Sequence, residues 1–192
     1  MILLEDKSIR GAGYNAEYQL SLNNTTDSNV FVRTLKANGD DLSDIRSIYV
    51  SSYRGTCFAI DEENNLWSWG YGGFGFGDNR EGNNSGATIC LENVEHIEYD
   101  STSNTRVFAK LKDTNSILAF GFNTDSSLGI GNAVNTRSFA PVRLPANFKD
   151  FRLYSFSPNA NLIVTCHDDV YSCGTSVDGS LKTTISTLQS QL

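Results

Sequence analysis

A glycine-led segment recurs four times along the chain, and its spacing limits the folds that the sequence can adopt. The clearest copy runs from Gly121 to Gly131, and three copies that match it at fewer positions begin at Gly13, Gly70 and Gly174. The lead glycines are therefore 57, 51 and 53 residues apart. A nearly constant period of this length is typical of a repeat architecture, in which each copy forms one structural unit.

Each lead glycine closes a short apolar run, which a polar turn and a second apolar run precede. The turns centre near residues 5–7, 61–65, 112–116 and 167–169. Two runs rich in β-branched and aromatic residues around an Asp/Asn-rich turn predict a β-hairpin. We therefore expect an all-β fold of four hairpins, each followed by a glycine-led loop.

One apolar residue in each loop is expected to anchor that loop on the core. It is the leucine seven residues after the lead glycine in three copies, namely Leu20, Leu128 and Leu181. The second copy is one residue shorter, and Phe76 takes the same place.

The repeated segment resembles the repeat of the regulator of chromosome condensation family, in which a strand ending in Trp-Gly leads to x-Asn-x-x-Gly-Gln-Leu-Gly-x-Gly. The matching positions are spread over the copies and are Gln19-Leu20, Trp69-Gly70, Gly121, Asn123, Leu128, Gly129 and Gly131. The family usually has a histidine just before the hairpin. Here Thr56, Arg106 and Asn161 occupy that position, so no residue-level function is carried over.

The resemblance implies a β-propeller-type repeat array, in which each copy is a small four-stranded blade packed on the next. A single blade cannot bury both faces, so stacking supplies the core. Trp67 and Trp69 alternate on one strand and should face the same side. We expect at least one of them to pack between blades.

The whole chain is interpreted as one repeat domain over residues 1–192, with copies at approximately 1–29, 30–86, 87–138 and 139–192. The resemblance implies rings of seven blades, so about 3.5 to 4 blades make an incomplete ring. We expect a second copy or a partner to close it. The sequence opens inside a hairpin at Ile2 and ends in outer-strand sequence near 183–188, which favours a homodimer over a larger partner.

Residue types that carry catalysis or bind metals are sparse. Cys57, Cys90, Cys166 and Cys173 show no Cys-x-x-Cys spacing, so a zinc site is not expected. Free buried thiols are favoured, and a disulfide between Cys166 and Cys173 is the alternative.

The two histidines, His96 and His167, have no nucleophile pattern near them. The glycine-rich loop at 71–86 lacks the Lys-Ser/Thr pair that follows the glycines of a phosphate cradle. We therefore expect no catalytic, cofactor-binding or metal-binding residue, and no enzyme.

Charge and hydropathy limit the partners. The chain has a net charge of −7, and an acidic surface repels phosphate backbones, so direct nucleic-acid binding is not expected. No apolar run approaches the roughly 20 residues of a membrane span. A cytoplasmic location is expected, with the nucleus as the alternative.

These observations predict a non-enzymatic protein–protein interaction scaffold. Tyr71, Phe74 and Arg80 lie in the longest glycine-rich loop and are the candidate protein-binding residues, because aromatic and Arg side chains are enriched in protein contacts. In the alternative interpretation, Phe74 only covers the base of its own loop. Two other functions stay open. One is guanine-nucleotide exchange on a small GTPase, which the resemblance implies, and the other is a structural subunit of a larger assembly.

Overall fold

The computed structural model describes residues 1–50, 55–73, 75–100, 105–114, 116–144, 151–157, 160–165, 170–174 and 186–188. Residue 100 and the strand residues at 151–172 and 186–188 are described by their backbone alone. Strands, turns and loops make up these residues, so the predicted all-β fold is confirmed. No described segment forms a helix long and apolar enough to cross a membrane.

The described strands form four antiparallel sheets. The first contains β1 (Ile2–Leu3), β2 (Ile9–Gly13) and β3 (Ser28–Arg33). The second contains β4 (Ile45–Val50), β5 (Thr56–Asp61), β6 (Leu66–Gly70) and β7 (Asn84–Leu91). The third contains β8 (Val94–Asp100), β9 (Arg106–Leu111), β10 (Ile117–Gly121) and β11 (Thr136–Pro141). The fourth contains β12 (Phe151–Ser157), β13 (Ala160–Thr165), β14 (Val170–Gly174) and β15 (Ser186–Leu188).

The four predicted hairpins are confirmed. They are β1–β2, β5–β6, β9–β10 and β13–β14, and each second strand ends on a lead glycine. Each sheet then continues to a further strand beyond the glycine-led loop. The division into sheets differs from the division into sequence copies, because β3 at residues 28–33 completes the first sheet by pairing with β2.

Apolar residues from facing sheets form the core in layers. The layer between the first and second sheets contains Ile9, Leu42, Ile45, Cys57, Ala59, Trp69 and Ala87. The layer between the second and third sheets contains Phe58, Ile60, Leu66, Val94, Ile97, Val107, Ala109 and Phe120. Phe58 and Phe120 meet edge to face across this second boundary, with ring centroids 6.2 Å apart. Stacking therefore buries both faces of the second sheet, as expected for blades.

Three predictions about individual core residues are confirmed. Trp69 is fully buried between the first two sheets, and Trp67 is half-buried and packs on the same layer. The loop anchors Leu20, Phe76 and Leu128 are all buried. Leu181 lies outside the described residues.

The hairpin turns at 4–8, 61–65 and 111–116 lie at the end of the sheets opposite the lead glycines, and we call this end the turn rim. An ion pair of 2.7 Å between Lys7 Nζ and Glu62 Oε1 joins the first two turns. Arg46 Nη2 donates to Val94 O over 2.9 Å and joins the second sheet to the third. Adjacent sheets are thus tied at this end by polar contacts.

Candidate functional site

Three glycine-led loops lie side by side at the other end of the sheets, and we call them the loop rim. They are residues 14–27, 71–83 and 122–135. Asn83 Nδ2 of the second loop donates to Glu17 Oε2 of the first. Arg137, directly after the third loop, pairs with Glu81 of the second. The second loop therefore contacts the first loop on one side and the start of β11, next to the third loop, on the other.

The lead glycines let the chain turn sharply from strand into loop. Gly70 and Gly121 have φ values of +91° and +122°, a region that side chains with a Cβ rarely adopt. A Cβ on Gly70 would lie 2.1 Å from the carbonyl oxygen of Gly55, and one on Gly121 would lie 2.0 Å from that of Thr105. Only glycine therefore fits these two positions.

A buried asparagine holds the third loop in shape. Asn123 Oδ1 accepts the backbone N–H of Leu128 at 2.9 Å. Its Nδ2 donates to the carbonyl oxygens of Asn132 at 2.9 Å and Val134 at 3.2 Å. One fully buried amide thus satisfies backbone groups on both sides of the loop.

The first loop repeats this arrangement atom for atom. Asn15 Oδ1 accepts the N–H of Leu20 at 2.8 Å. Its Nδ2 donates to the carbonyls of Asn24 at 2.8 Å and Thr26 at 3.1 Å. The first and third loops therefore share one hydrogen-bonded conformation, although few of their residues are identical.

The second loop has Gly72 where the others have asparagine. A Cβ on Gly72 would lie 1.8 Å from the carbonyl oxygen of Gly82, so the two arms of this loop leave no room for a side chain at this position. The N–H of Gly72 donates to Asn83 Oδ1 over 3.2 Å. The other two loops make the same contact, from the N–H of Asn15 to Asp27 Oδ1 at 2.8 Å and from the N–H of Asn123 to Asn135 Oδ1 at 2.6 Å.

The position that holds histidine in the resembled family has a structural role here. Thr56 Oγ1 donates to the carbonyl of Tyr71 at 2.6 Å. Arg106 Nε donates to the carbonyl of Phe122 at 3.3 Å. Both acceptors directly follow a lead glycine, so two different side chains make the same contact. Asn161, the third occupant of this position, has no described side chain.

Arg106 also carries the buried charge of the loop rim. Its side chain is fully buried, and Nη2 lies 2.6 Å from Asp125 Oδ2. The guanidinium carbon lies 5.4 Å from the ring centroid of Phe122. Because both charges are paired, the ion pair fastens the third loop to β9.

A second repeated contact joins the first loop to the second sheet and the third loop to the fourth sheet. Trp69 Nε1 donates to the carbonyl of Gln19 over 2.9 Å. Cys173 Sγ donates to the carbonyl of Ser127 over 2.8 Å. Trp69 and Cys173 each precede a lead glycine, and Gln19 and Ser127 each precede an anchoring leucine. The second sheet therefore contacts the loop of the first sheet through the same position as the fourth sheet uses to contact the loop of the third.

The sequence-predicted site residues lie in the second loop of the rim. Arg80 is half-buried and binds its own loop and sheet: Nε lies 2.6 Å from Asp78 Oδ2, and Nη2 donates to Ser68 Oγ over 2.7 Å. Tyr71 is half-buried beside Gly73, whose Cβ would meet the Tyr71 ring. Phe74 lies outside the described residues.

The most exposed large side chains of the loop rim were not selected by sequence reasoning. Tyr14 is 65% exposed in the first loop, and Val134 is 66% exposed in the third. Tyr14 follows its lead glycine as Tyr71 does. Aligning the repeats would therefore have identified Tyr14 as a candidate together with Tyr71. Nothing in the sequence indicated that Val134 would be exposed, because its exposure depends on the position of its backbone, which Asn123 fixes through a hydrogen bond.

The metal-ligating and thiol side chains of the described residues were each located in the structure. No group of three or more His, Cys, Asp or Glu side chains among them could hold a metal ion. Cys57, Cys90 and Cys173 are free thiols, as favoured from the sequence, and Cys173 is thus not in a disulfide. Burial raises the pKa of Cys57 and of Cys173 to about 12, so neither is a thiolate nucleophile at neutral pH.

The stacked antiparallel sheets and their repeated glycine-led loops define an incomplete β-propeller. The chain is built from repeats of the type found in the regulator of chromosome condensation family, as the sequence resemblance indicated. It is 27% identical to human Protein RCC2 over 141 residues, which are 71% of this chain. No protein-family model matches the chain.

Solved structures show the same fold. Human WBSCR16 superposes with a TM-score of 0.64 at 11% identity, over 90% of this chain and 44% of that one. Prp20p from Saccharomyces cerevisiae superposes with a TM-score of 0.60 at 17% identity, over 92% of this chain and 41% of that one. A crystal structure of Kap60 bound to yeast RCC1 (Prp20) matches with a TM-score of 0.52 at 18% identity, over 92% of this chain and 39% of that one.

The chain is shorter than the proteins it resembles. It spans 26% of the length of Protein RCC2 and less than half of each solved structure. The repeats of this chain therefore correspond to part of a propeller in its relatives.

Proposed function

We propose that this chain is a non-enzymatic protein–protein interaction scaffold whose loop rim holds a partner protein. The observation that carries the proposal is the way the rim is built. Buried Asn15 and Asn123 hold the first and third loops in the same conformation. Tyr14 and Val134 lie in these two loops and are exposed to solvent. A surface that is already ordered loses little conformational entropy when a partner binds, so rigid loops favour affinity.

We assign the centre of the contact to the second loop, with Tyr71, Phe74 and Arg80 as the contact residues. Arg80 supports this role through its fixed position. Its guanidinium carbon lies 5.0 Å from the Phe76 ring centroid, and the carboxylate of Asp78 holds it there. An arginine held in this way is preordered for a protein contact. Replacing it would also loosen the loop, so Tyr71 is the cleaner residue to test.

The chemistry of the partner follows from charge and from the relatives. The chain carries a net charge of −7, which favours a basic protein over a nucleic acid. The solved structure of Prp20p is described together with its binding to Gsp1p and histones. Histones are basic proteins, and both histones and Gsp1p are bound by a protein with the same fold, so both are suitable probes. A cytoplasmic or nuclear location is consistent with either.

Two other functions are kept as alternatives. An exchange-factor-like regulator of a small GTPase is favoured by the likeness to Prp20p and its binding to Gsp1p. A structural subunit of a larger assembly is favoured by the fraction of a propeller that the chain spans. An exchange-factor-like regulator must speed the release of nucleotide from a small GTPase. A structural subunit needs no separate partner on the loop rim.

A biosensor experiment tests the proposal. The chain is immobilised, and purified Gsp1p and core histones are passed over it. Tyr14→Ala and Tyr71→Ala are expected to weaken binding of at least one probe by about tenfold, as for aromatic residues at protein contacts. Glu63→Ala, at an exposed position of the turn rim, is the matched control and should bind as the original chain does.

Each outcome separates the three functions. Unchanged binding by both tyrosine variants, or equal loss by the control, contradicts a contact on the loop rim. Faster release of a fluorescent guanine nucleotide from a purified small GTPase selects the exchange-factor alternative. Absence of binding to both probes contradicts the partner chemistry proposed here and favours the structural subunit.

A further inference from the structure

An open strand edge lies on the second sheet, at a surface separate from the loop rim. β7 is the last strand of this sheet, so the backbone groups on its outer side have no partner strand within the sheet. The segment after β3 covers part of this edge. The N–H of Ala87 donates to the carbonyl of Leu35 over 2.9 Å, and the N–H of Ala37 donates to the carbonyl of Ala87 over 3.0 Å. The backbone groups of Ala87 therefore point outward and are both paired.

The covering segment leaves the edge before it reaches Ile89. The N–H of Gly39 donates to the carbonyl of Lys36 over 2.9 Å, and this turn takes the chain away from β7. Because backbone groups alternate in direction along a strand, the N–H and C=O of Ile89 point outward as those of Ala87 do. No described backbone group outside the sheet bonds to them. The edge of β7 is thus open at Ile89.

The equivalent edge positions of the neighbouring sheets are protected against a further strand. Each lies opposite the residue three positions before a lead glycine, and they are Arg33 in β3, Ile89 in β7 and Pro141 in β11. Charged side chains and proline are residues that block strand addition at a sheet edge. Arg33 is charged and paired with Asp41, and Pro141 has no N–H to donate. Ile89 has neither protection and is 37% exposed.

An apolar pocket of about 330 Å³ adjoins this open edge. The residues that line it include Lys36, Ala37, Asn38, Trp67, Ala87 and Ile89. Trp67 lies opposite Ile89 across the β6–β7 pair, so the two side chains are on the same face of the sheet. The bond from Trp67 Nε1 to Asp61 Oδ2, at 2.8 Å, fixes the indole. A large apolar side chain of an added strand would fit this pocket.

Lys36 gives the pocket a positive charge. Its Nζ lies 5.4 Å from the centroid of the Trp67 ring. Among the ion pairs of the described residues, none includes Lys36. In a chain with a net charge of −7, an unpaired cation beside an apolar pocket favours a ligand that brings a carboxylate.

From these observations we propose that β7 binds an extended acidic segment of a partner protein as an additional strand at Ile89. The backbone of the segment pairs with the N–H and C=O of Ile89. One apolar side chain of the segment fills the pocket beside Trp67, and one carboxylate pairs with Lys36. In this mode of recognition, backbone hydrogen bonds give affinity, and pockets for alternate side chains give specificity.

Fluorescence polarisation with labelled synthetic peptides tests the proposal on the full chain. The peptides have about eight residues, alternate threonine with valine or isoleucine, and carry one glutamate at a varied position. The best glutamate peptide should bind about two- to fivefold more tightly than its glutamine counterpart, as expected for an exposed ion pair. Methylation of single backbone nitrogens of this peptide should abolish binding at alternate positions only, because an added strand uses every second N–H.

Variants of the chain test each part of the contact. Ile89→Pro copies Pro141 of the third sheet, so it should keep the circular dichroism spectrum and lose peptide binding. Ile89→Arg copies Arg33 of the first sheet, should weaken binding about tenfold or more, and serves if the proline variant fails to fold. Lys36→Glu should bind a lysine peptide more tightly than the glutamate peptide. Val50→Arg is the matched control, because Val50 is an apolar residue of the same sheet that is 42% exposed, and it should bind as the original chain does.

Backbone hydrogen exchange locates the bound peptide, and the amide of Ile89 should exchange more slowly in its presence. The absence of saturable binding up to about 1 mM peptide, or equal loss of binding in Val50→Arg, overturns the inference. Light scattering covers the remaining occupant. If the chain alone has twice its mass of 21.1 kDa and Ile89→Arg makes it a monomer, a second copy occupies the edge, which also overturns the inference. The assay uses neither Gsp1p nor histones, and no variant lies on the loop rim, so failure here is separate from failure of the proposed function.

Discussion

Replacing Trp69 tests whether the sheets depend on one another for stability. The Trp69 side chain is fully buried between the first two sheets, and its Nε1 donates to the carbonyl of Gln19 across that boundary. Trp69→Ala removes both the indole and the hydrogen bond. Large-to-small changes of a buried tryptophan cost about 3–5 kcal/mol, so we expect the free energy of unfolding to fall by about that amount.

Trp69→Phe separates the two contributions. Phenylalanine keeps most of the ring packing but cannot donate to Gln19, and a buried acceptor left without its partner costs about 1–3 kcal/mol. We therefore expect Trp69→Phe to cost less than Trp69→Ala, because most of the ring packing remains. Trp67→Ala is the matched control on the same strand, because Trp67 is half-buried and donates to Asp61 within its own sheet over 2.8 Å.

Urea denaturation followed by far-UV circular dichroism measures these values without relying on tryptophan fluorescence. Because Trp69 joins two sheets, we also expect Trp69→Ala to broaden the transition as the first sheet unfolds separately. If Trp69→Ala costs less than about 1 kcal/mol, or no more than Trp67→Ala, then stacking at this boundary is not the source of stability and the reasoning fails.

Three further predictions concern the third loop and the thiols. Asn123→Ala removes the amide that closes the loop and should lower the free energy of unfolding by about 1–3 kcal/mol; an exposed Asn132→Ala control should cost less. Arg106→Met leaves the Asp125 carboxylate buried without its partner and should cost about 3–5 kcal/mol in the same urea assay; a neutral result contradicts a stabilising ion pair. Cys57 and Cys173, with a pKa of about 12, should react with iodoacetamide at pH 8 only after unfolding, and labelling of the native chain, read by mass spectrometry, contradicts this.

The hairpins could be predicted because their signal is local. A polar turn between two apolar runs specifies a hairpin without knowledge of distant residues, and all four hairpins follow that pattern. The local sequence pattern could not predict which strand completes the first sheet. The strand Ser28–Arg33 lies 14 residues after β2, beyond a long loop, and joins it through a pairing that a bulge interrupts. Only the packed structure shows which sheet such a strand completes.

The surroundings of the candidate site residues were harder to predict than the fold, as Arg80 illustrates. The sequence places this arginine in a glycine-rich loop and supports it as a protein contact, but it does not show which residues the guanidinium bonds. In the structure its charge is paired with Asp78 and its donors reach Ser68. Tyr14, which sequence reasoning passed over, is far more exposed. Exposure depends on how each loop folds back onto its sheet, and that path is fixed by hydrogen bonds between residues that are distant in the sequence.

The position before each hairpin explains how these repeats could lose sequence identity while keeping one structure. The requirement there is a donor that reaches the carbonyl after the lead glycine, and Thr56 and Arg106 both satisfy it. Their lengths differ, so each needs different surroundings: Thr56 bonds directly, whereas Arg106 needs Asp125 to neutralise its buried charge. The two side chains at this position are thus accompanied by different residues in the loop above it. At this position the hydrogen bond to the loop is kept while the residues that make it change. Comparing the repeats one residue at a time therefore understates how similar the structures of the sheets are.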